Sequence, residues 1–259
     1  MAPCCYAPTV VFRAVIFDLF DTLVDLHYEH IPREQYAGKT IPTTARALHA
    51  AVAERADVDF ETFLAAALAV DEAARSSHFA RDLELPTEER FSAVVERLGL
   101  VDTELPDIMT AIHMGAIRQH TAVPAHHAEV LTGLKRKVRI GLCSNFSHSK
   151  TALRILEESD LRRHFDAVVI SEAVGIRKPR AEIFAAVLDR LAVAPGEVLH
   201  VGDSLRADVD GAAACGIPSV WITRRVSDAD RRLSEHAGAK PDFVIQDLAE
   251  VSSLLDGCD

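Results

Sequence analysis

The chain has 259 residues, 49% of them hydrophobic and 26% charged. That is the make-up of a folded protein with one large core or two modest ones, and it excludes a disordered or fibrous chain. The formal net charge is -11, from 39 acidic and 28 basic residues; this field repels polyanions and argues against nucleic-acid binding, yet leaves room for a small anionic substrate held by local cations.

No run of about 18 apolar residues is present, so no transmembrane helix and no membrane partner are expected. Residues 1–11 lack the basic-then-apolar order of a signal peptide. The five cysteines, Cys4, Cys5, Cys143, Cys215 and Cys258, are odd in number and follow no CxxC spacing. That usage fits a reduced, cytoplasmic setting.

The first strong segment covers residues 10–17, a β-branched apolar run ending at Asp18. It is too short for a buried helix and reads as a central strand. Four amphipathic helices follow. They are marked by Ala45, Leu48 and Val52, then Phe60, Phe63 and Leu64, then Phe91, Val94 and Val95, and last Leu105, Ile108 and Met109. Each set has the spacing of one buried helical face. No strand pattern interrupts them, so this stretch is expected to be all-helical.

From about residue 124 the pattern alternates. Short apolar runs at 138–144, 167–170, 198–201 and 219–222 are separated by helical patterns, and 243–245 adds an edge strand. Strand–helix alternation predicts a parallel sheet with helices on both faces. The expected architecture is therefore α/β. A Rossmann-like, doubly wound parallel sheet is built from residues 1–25 and 124–259, and a helical domain spanning 26–123 is inserted after its first strand.

In such sheets ligands bind beyond the carboxyl ends of the strands. The residues following the predicted strands are Asp18 to Thr22, then Ser144 and Asn145, then Lys178 with Pro179, then Gly202, Asp203 and Asp208. Polar groups thus converge on one sheet edge. In this order FDLFDT, LCSN, RKPRAEIF and GDSLRAD resemble the four motifs of the haloacid dehalogenase superfamily of hydrolases, and the insert looks like that family's helical cap.

The resemblance implies roles. Asp18 is similar to the family's nucleophile, a carboxylate that attacks phosphorus or carbon and forms a covalent intermediate. Thr22 and Ser144 resemble hydroxyl donors to the substrate's anionic group, and Lys178 the lysine that neutralises nucleophile and substrate. Asp203 and Asp208 look like an acidic pair that, with Asp18 and the backbone carbonyl of Phe20, would hold Mg2+. Asn145 is placed to orient the nucleophile or the substrate. Phe20 is the departure, because family phosphatases carry a second Asp there that protonates the leaving group.

The family's dehalogenases also lack that Asp, since halide leaves without a proton, but they usually dispense with the metal. The expected activity is a Mg2+-dependent phosphohydrolase acting on a small phosphorylated metabolite. The alternatives are a 2-haloacid dehalogenase and a catalytically weakened relative that binds a ligand or partner. Asp21, His27 and His30 are the nearby candidates for a replacement acid. Arg33 and Arg46 are candidate forks for a substrate carboxylate. His126 and His127 read as a surface pair, whereas His49, His113 and His120 fall on helices and read as structural groups. The chain carries no oligomer signal that separates a monomer from a homodimer.

Overall fold

Four consecutive apolar residues, Ala14–Phe17, form strand β1, and all four side chains are buried. Such a run has no solvent side, so the strand needs cover on both faces and takes the middle of a sheet. The computed structural model describes residues 11–36 and 38–256; Cys4, Cys5 and Cys258 lie outside them. In it β1 pairs in parallel with a later strand on either side.

Next come β2 (Asp25–Leu26), a hairpin of β3 (Arg33–Tyr36) and β4 (Lys39–Pro42), and the helices α1 (Ala45–Ala53), α2 (Phe60–Ser77), α3 (Thr87–Arg97) and α4 (Leu105–Gln119). Strand β5 (Thr121–Ala122) pairs antiparallel with β2, so the chain enters and leaves the insert through adjacent strands. Then α5 (His127–Lys135), β6 (Arg139–Ser144), α6 (Ser149–Glu158), β7 (Ala167–Ile170), α7 (Ser171–Val174), α8 (Ala181–Leu191) and β8 (Val198–Gly202) alternate. A π-helical turn, Leu205–Asp210, runs into α9 (Gly211–Ala214), followed by β9 (Ser219–Ile222), α10 (Ala229–Glu235), β10 (Phe243–Ile245) and α11 (Val251–Asp256).

The main sheet has the order β10-β9-β8-β1-β6-β7 with every pairing parallel. The period-2 alternation of β1 divides its side chains between two cores. Val15 and Phe17 pack with Leu131 and Leu134 of α5 and Ala152 and Ile155 of α6. Ala14 and Ile16 pack with Ile183, Phe184 and Val187 of α8. The sheet is thus doubly wound, as expected. Chain order runs from β1 out to β7, then returns to β8 on the other side of β1. That reversal opens a crevice at the carboxyl ends of β1, β6 and β8.

All four expected helices of the insert are present, and the faces marked by their spacing form one core that includes Leu48, Val52, Phe63, Leu64, Phe91, Val94, Leu105 and Met109. Asp59 starts α2 by accepting a 2.8 Å hydrogen bond from the Thr62 amide, and Gly99, at φ 70°, ends α3. The insert is not all-helical, however. The β3–β4 hairpin turns through Gly38 at φ 75°, and the Arg-Glu-Gln-Tyr sequence of β3 has no apolar stripe by which a strand is recognised.

The loop between α2 and α3 also ties the insert to the sheet domain. Leu83 bridges Ile176, and the Glu84 amide donates to the Gly175 carbonyl at 3.0 Å. The buried Glu84 carboxylate accepts from Arg177 at 2.6 Å and from the Ser171 hydroxyl. Arg206 donates to both oxygens of Asp82 at 2.9 Å.

Candidate active site

The strand ends do bring the motif residues together. Asp18 follows β1, Ser144 ends β6, Asp203 follows β8, and Lys178 and Asp208 come from the segments after β7 and β8. They line one cavity of about 670 Å³ between the sheet edge and the insert, with Phe20, Asn145, Phe146, Tyr28, Thr44 and His113 among its other walls.

The buried ammonium of Lys178 lies 2.7 Å from Asp18 Oδ1 and 2.6 Å from Asp208 Oδ1. Asp208 Oδ1 also accepts from the buried imidazole of His200 at 2.9 Å, and its Oδ2 accepts from the Ser204 amide at 3.0 Å. Asp208 therefore fixes Lys178 through Oδ1, while Oδ2, with a single hydrogen bond, keeps a lone pair for a further partner. Asp18, Asp203 and Asp208 have carboxylate oxygens within 4.8 Å of one another. Two carboxylates thus share one ammonium, and a third carboxylate, Asp203, stands beside them with no cation of its own in contact among the described residues.

The proton affinities follow from this imbalance. Burial pushes the Asp18 carboxyl up to about 6, with Lys178 opposing and Asp208 adding to the rise. Asp203 goes further, to about 8, through burial and the charges of Asp18 and Asp208. Burial would raise Asp208 as well, but Lys178 and His200 outweigh it and hold that carboxyl well below the usual range. Burial likewise opposes the charge on Lys178, yet the two carboxylates beside it raise its proton affinity above that of an ordinary lysine.

These donors fit a hard divalent cation. They are carboxylate oxygens in close array, they carry more negative charge than Lys178 cancels, and one of them takes up a proton near neutral pH for want of a positive partner.

Gly202 has a different importance from loop freedom. A Cβ built on it would meet Asp208 Cγ at 2.2 Å, so the glycine makes room for that carboxylate. Asn145 also has a different role from the one expected. Its Oδ1 accepts from the Lys178 amide at 2.7 Å and its Nδ2 donates to the Lys178 carbonyl at 3.0 Å. The side chain clamps the backbone of Lys178, which makes it a positioning group for the lysine.

Several expected residues are placed elsewhere. Thr22, Arg33 and Arg46 are not among the residues lining the cavity. Thr22 is fully buried and its hydroxyl has no hydrogen-bond partner. Arg33 is exposed on the β3–β4 hairpin. Arg46 is held outside by Glu34, at 2.7 and 3.0 Å, and lies over the Phe60 ring at 4.0 Å.

The replacement acids also find other partners. Asp21 does line the cavity, at φ 56°, but its Oδ1 is held by Arg225 at 2.9 Å and by the Leu26 amide at 3.2 Å. His27 bonds Glu29 at 2.8 Å and stacks on His30, and neither ring lines the cavity. Phe20 packs against Phe146 with ring centroids 4.9 Å apart, making an apolar wall.

The histidines divide differently from expectation. His127 is fully buried and donates from Nδ1 to the Leu23 carbonyl at 2.9 Å, whereas its neighbour His126 is a surface group paired with Asp247. His113, read as a structural group, faces the cavity. His200 lies inside an apolar strand and outside the four motifs. Its signal was available, since strand alternation places it on the same face as Gly202, where Asp208 packs.

A sequence profile described as haloacid dehalogenase-like hydrolase matches residues 12–216. The chain is 29% identical over 142 residues to the N-acylneuraminate-9-phosphatase of Mus musculus, covering 54% of this chain and 55% of that protein. It is 31% identical over 134 residues to the phosphoserine phosphatase of Thermus thermophilus, covering 52% and 51%. The matches to these two relatives span about half of their length. Among solved structures, the 2-haloacid dehalogenase from Pseudomonas syringae superposes with a TM-score of 0.66 at 22% identity, covering 96% of this chain and all of that one. The HAD phosphatase from Thermococcus onnurineus superposes with a TM-score of 0.61 at 22% identity, covering 95% and 99%. Identities of that size speak for the fold alone.

Proposed function

The chain belongs to the haloacid dehalogenase-like hydrolase family, and from that membership we propose a Mg2+-dependent phosphohydrolase that acts on a small phosphorylated metabolite through Asp18. The observation that carries the reading is the cluster of Asp18, Asp203 and Asp208, in which Lys178 is the only ammonium in contact among the described residues and touches only Asp18 and Asp208. A site built to receive a haloacid's carboxylate gains nothing from two further carboxylates, whereas a divalent cation and a phosphoryl group both need them balanced. The phosphatases among the curated relatives support the same direction.

In this reading Asp18 attacks phosphorus, the bond to the leaving oxygen breaks, and water then cleaves the aspartyl phosphate to release phosphate and restore the carboxylate. Lys178 holds Asp18 in place and offsets charge on the transferring group, and Ser144 donates to a phosphoryl oxygen. Asn145 and His200 keep Lys178 and Asp208 in register. Asp18, Asp203, Asp208 and the Phe20 carbonyl would hold the metal. When bound there, Mg2+ supplies charge neutralisation between the nucleophile and the phosphoryl oxygens.

With Phe20 in the acid's place and Asp21 tied to Arg225, the leaving oxygen departs without a dedicated proton donor. Esters with stable leaving groups are then the better substrates. The insert is proposed to act as a cap that shields the cavity from water.

One observation favours a 2-haloacid dehalogenase, namely the apolar wall of Phe20 and Phe146. Against it, the two arginines lining the cavity are already paired, Arg177 with Glu84 and Arg206 with Asp82. The test is product release from aryl, sugar and carboxyalkyl phosphates and from 2-chloropropionate, each with Mg2+ and with chelator. Phosphate release that disappears in chelator is the expected result. Halide release that persists in chelator would replace this reading with the dehalogenase.

A further inference from the structure

Thr44 stands at the N-cap of α1, where a threonine hydroxyl ordinarily accepts from the helix's own amides. Here it makes no capping bond, and the hydroxyl of Thr43 takes the Ala45 amide at 3.0 Å. The Thr44 hydroxyl is turned to His113, 2.8 Å from Nδ1, and both residues line the catalytic cavity from the side of the insert.

The direction of that hydrogen bond follows from the next residue. Arg90 Nη2 lies 3.4 Å from His113 Nε2. A guanidinium only donates, so Nε2 accepts. Burial, reinforced by the charge of Arg90, lowers the His113 pKa to about 3, so the ring is neutral and carries a single proton. That proton is on Nδ1 and is donated to Thr44 Oγ1. The hydroxyl has then received its hydrogen bond and its own hydrogen is free. The ring is held edge-on to Phe91, with centroids 5.6 Å apart, and Arg90 is held within 3.5 Å of Asp71. The relay is therefore built on packed residues of α2, α3 and α4.

We propose that Thr44, oriented by His113 and Arg90, is the specificity contact of the cavity and donates a hydrogen bond to an acceptor oxygen on the substrate, remote from its phosphate. This rests on the phosphohydrolase reading. The substrate class is a phosphomonoester whose body spans an apolar wall including Ile31, Phe79 and Ile117 and bears a carbonyl, carboxylate or hydroxyl oxygen beyond it. A cavity of about 670 Å³ is within the range of sites that enclose a whole small molecule.

The test uses the full chain with Mg2+ and a panel of sugar, nucleoside, carboxyalkyl and phenyl phosphates. Phenyl phosphate is the member with no acceptor beyond its ester. On the best acceptor-bearing ester, Thr44→Val is expected to raise KM roughly tenfold, the worth of about one hydrogen bond, with kcat within about twofold. Phenyl phosphate kinetics are unchanged, and Thr44→Ser restores the wild-type KM. His113→Phe, which keeps an aromatic ring against Phe91, shows the same selective loss as Thr44→Val. Equal effects on every ester, or no effect on any, would overturn the specificity role while leaving the phosphohydrolase standing. Halide release without phosphate release from the wild-type protein would overturn both.

Discussion

Nζ of Lys178 lies 2.7 Å from Oδ1 of Asp18, and the two groups meet below the surface with a second carboxylate, Asp208, on the same ammonium. The lysine is the only cation that contacts either carboxylate among the described residues, apart from His200, which burial keeps neutral. Breaking such a buried arrangement leaves an uncompensated charge, which costs about 3–5 kcal/mol. Lys178→Met is therefore expected to unfold at clearly lower denaturant concentration and to lose roughly 10²–10³ in kcat. Equilibrium unfolding and steady-state kinetics on the same preparation measure both.

Asp203 links metal binding to stability. Its carboxyl is raised from 3.8 to about 8 in the folded chain. The folded state thus holds a proton that the unfolded state has lost, so this group's contribution falls as pH rises from near 4 through 8. Thermal unfolding of the metal-free protein should show that decline. Asp203→Asn should flatten it, and Mg2+ should raise the melting temperature of wild type at pH 8 but not that of the variant. An unchanged pH profile in Asp203→Asn contradicts the assignment.

Gly202→Ala tests how tightly the site is built. The added methyl would fall 2.2 Å from Asp208 Cγ, and Asp208 cannot move without giving up Lys178, His200 and the Ser204 amide. The expected cost is about 1–3 kcal/mol of stability, together with loss of the Mg2+-dependent rise in melting temperature. Calorimetry with and without Mg2+ reads both.

Phe20→Asp restores a carboxyl group where the leaving oxygen departs. General acid assistance contributes about 10²–10⁴ in rate when correctly placed. The gain is expected on alkyl phosphates, whose leaving groups need a proton, and should be small on aryl phosphates. A plot of log kcat against leaving-group pKa should be steep for wild type and shallow for the variant. Equal slopes would remove Phe20 from the account.

The sheet and its site were largely readable because their information is local. The runs at 167–170, 219–222 and 243–245 are strands with those limits, and a residue placed directly after a buried strand has little choice but the sheet edge. That is why Asp18, Ser144 and Asp203 could be named. Partner choice is not local. Arg46 binds Glu34 and Phe60 rather than the cavity because the hairpin folds across α1, and nothing in the spacing announces that hairpin. The sequence marks Asn145 as a polar residue at a strand end, but its clamp on Lys178 exists only once a segment 33 residues away arrives beside it. His113 shows only a position on a helix in the sequence; Thr44, just before α1, and Arg90 of α3 give it direction.

The most direct measurement is turnover in H2(18O) followed by mass analysis of the released product and of the peptide containing Asp18. An aspartyl phosphate is cleaved by water at phosphorus, so the account predicts 18O in the released phosphate and none in Asp18, with turnover dependent on Mg2+. A carbon ester on Asp18 is cleaved at the carboxyl carbon. Accumulation of 18O in Asp18 during turnover of 2-chloropropionate, with no phosphate released from any ester, would contradict the phosphohydrolase.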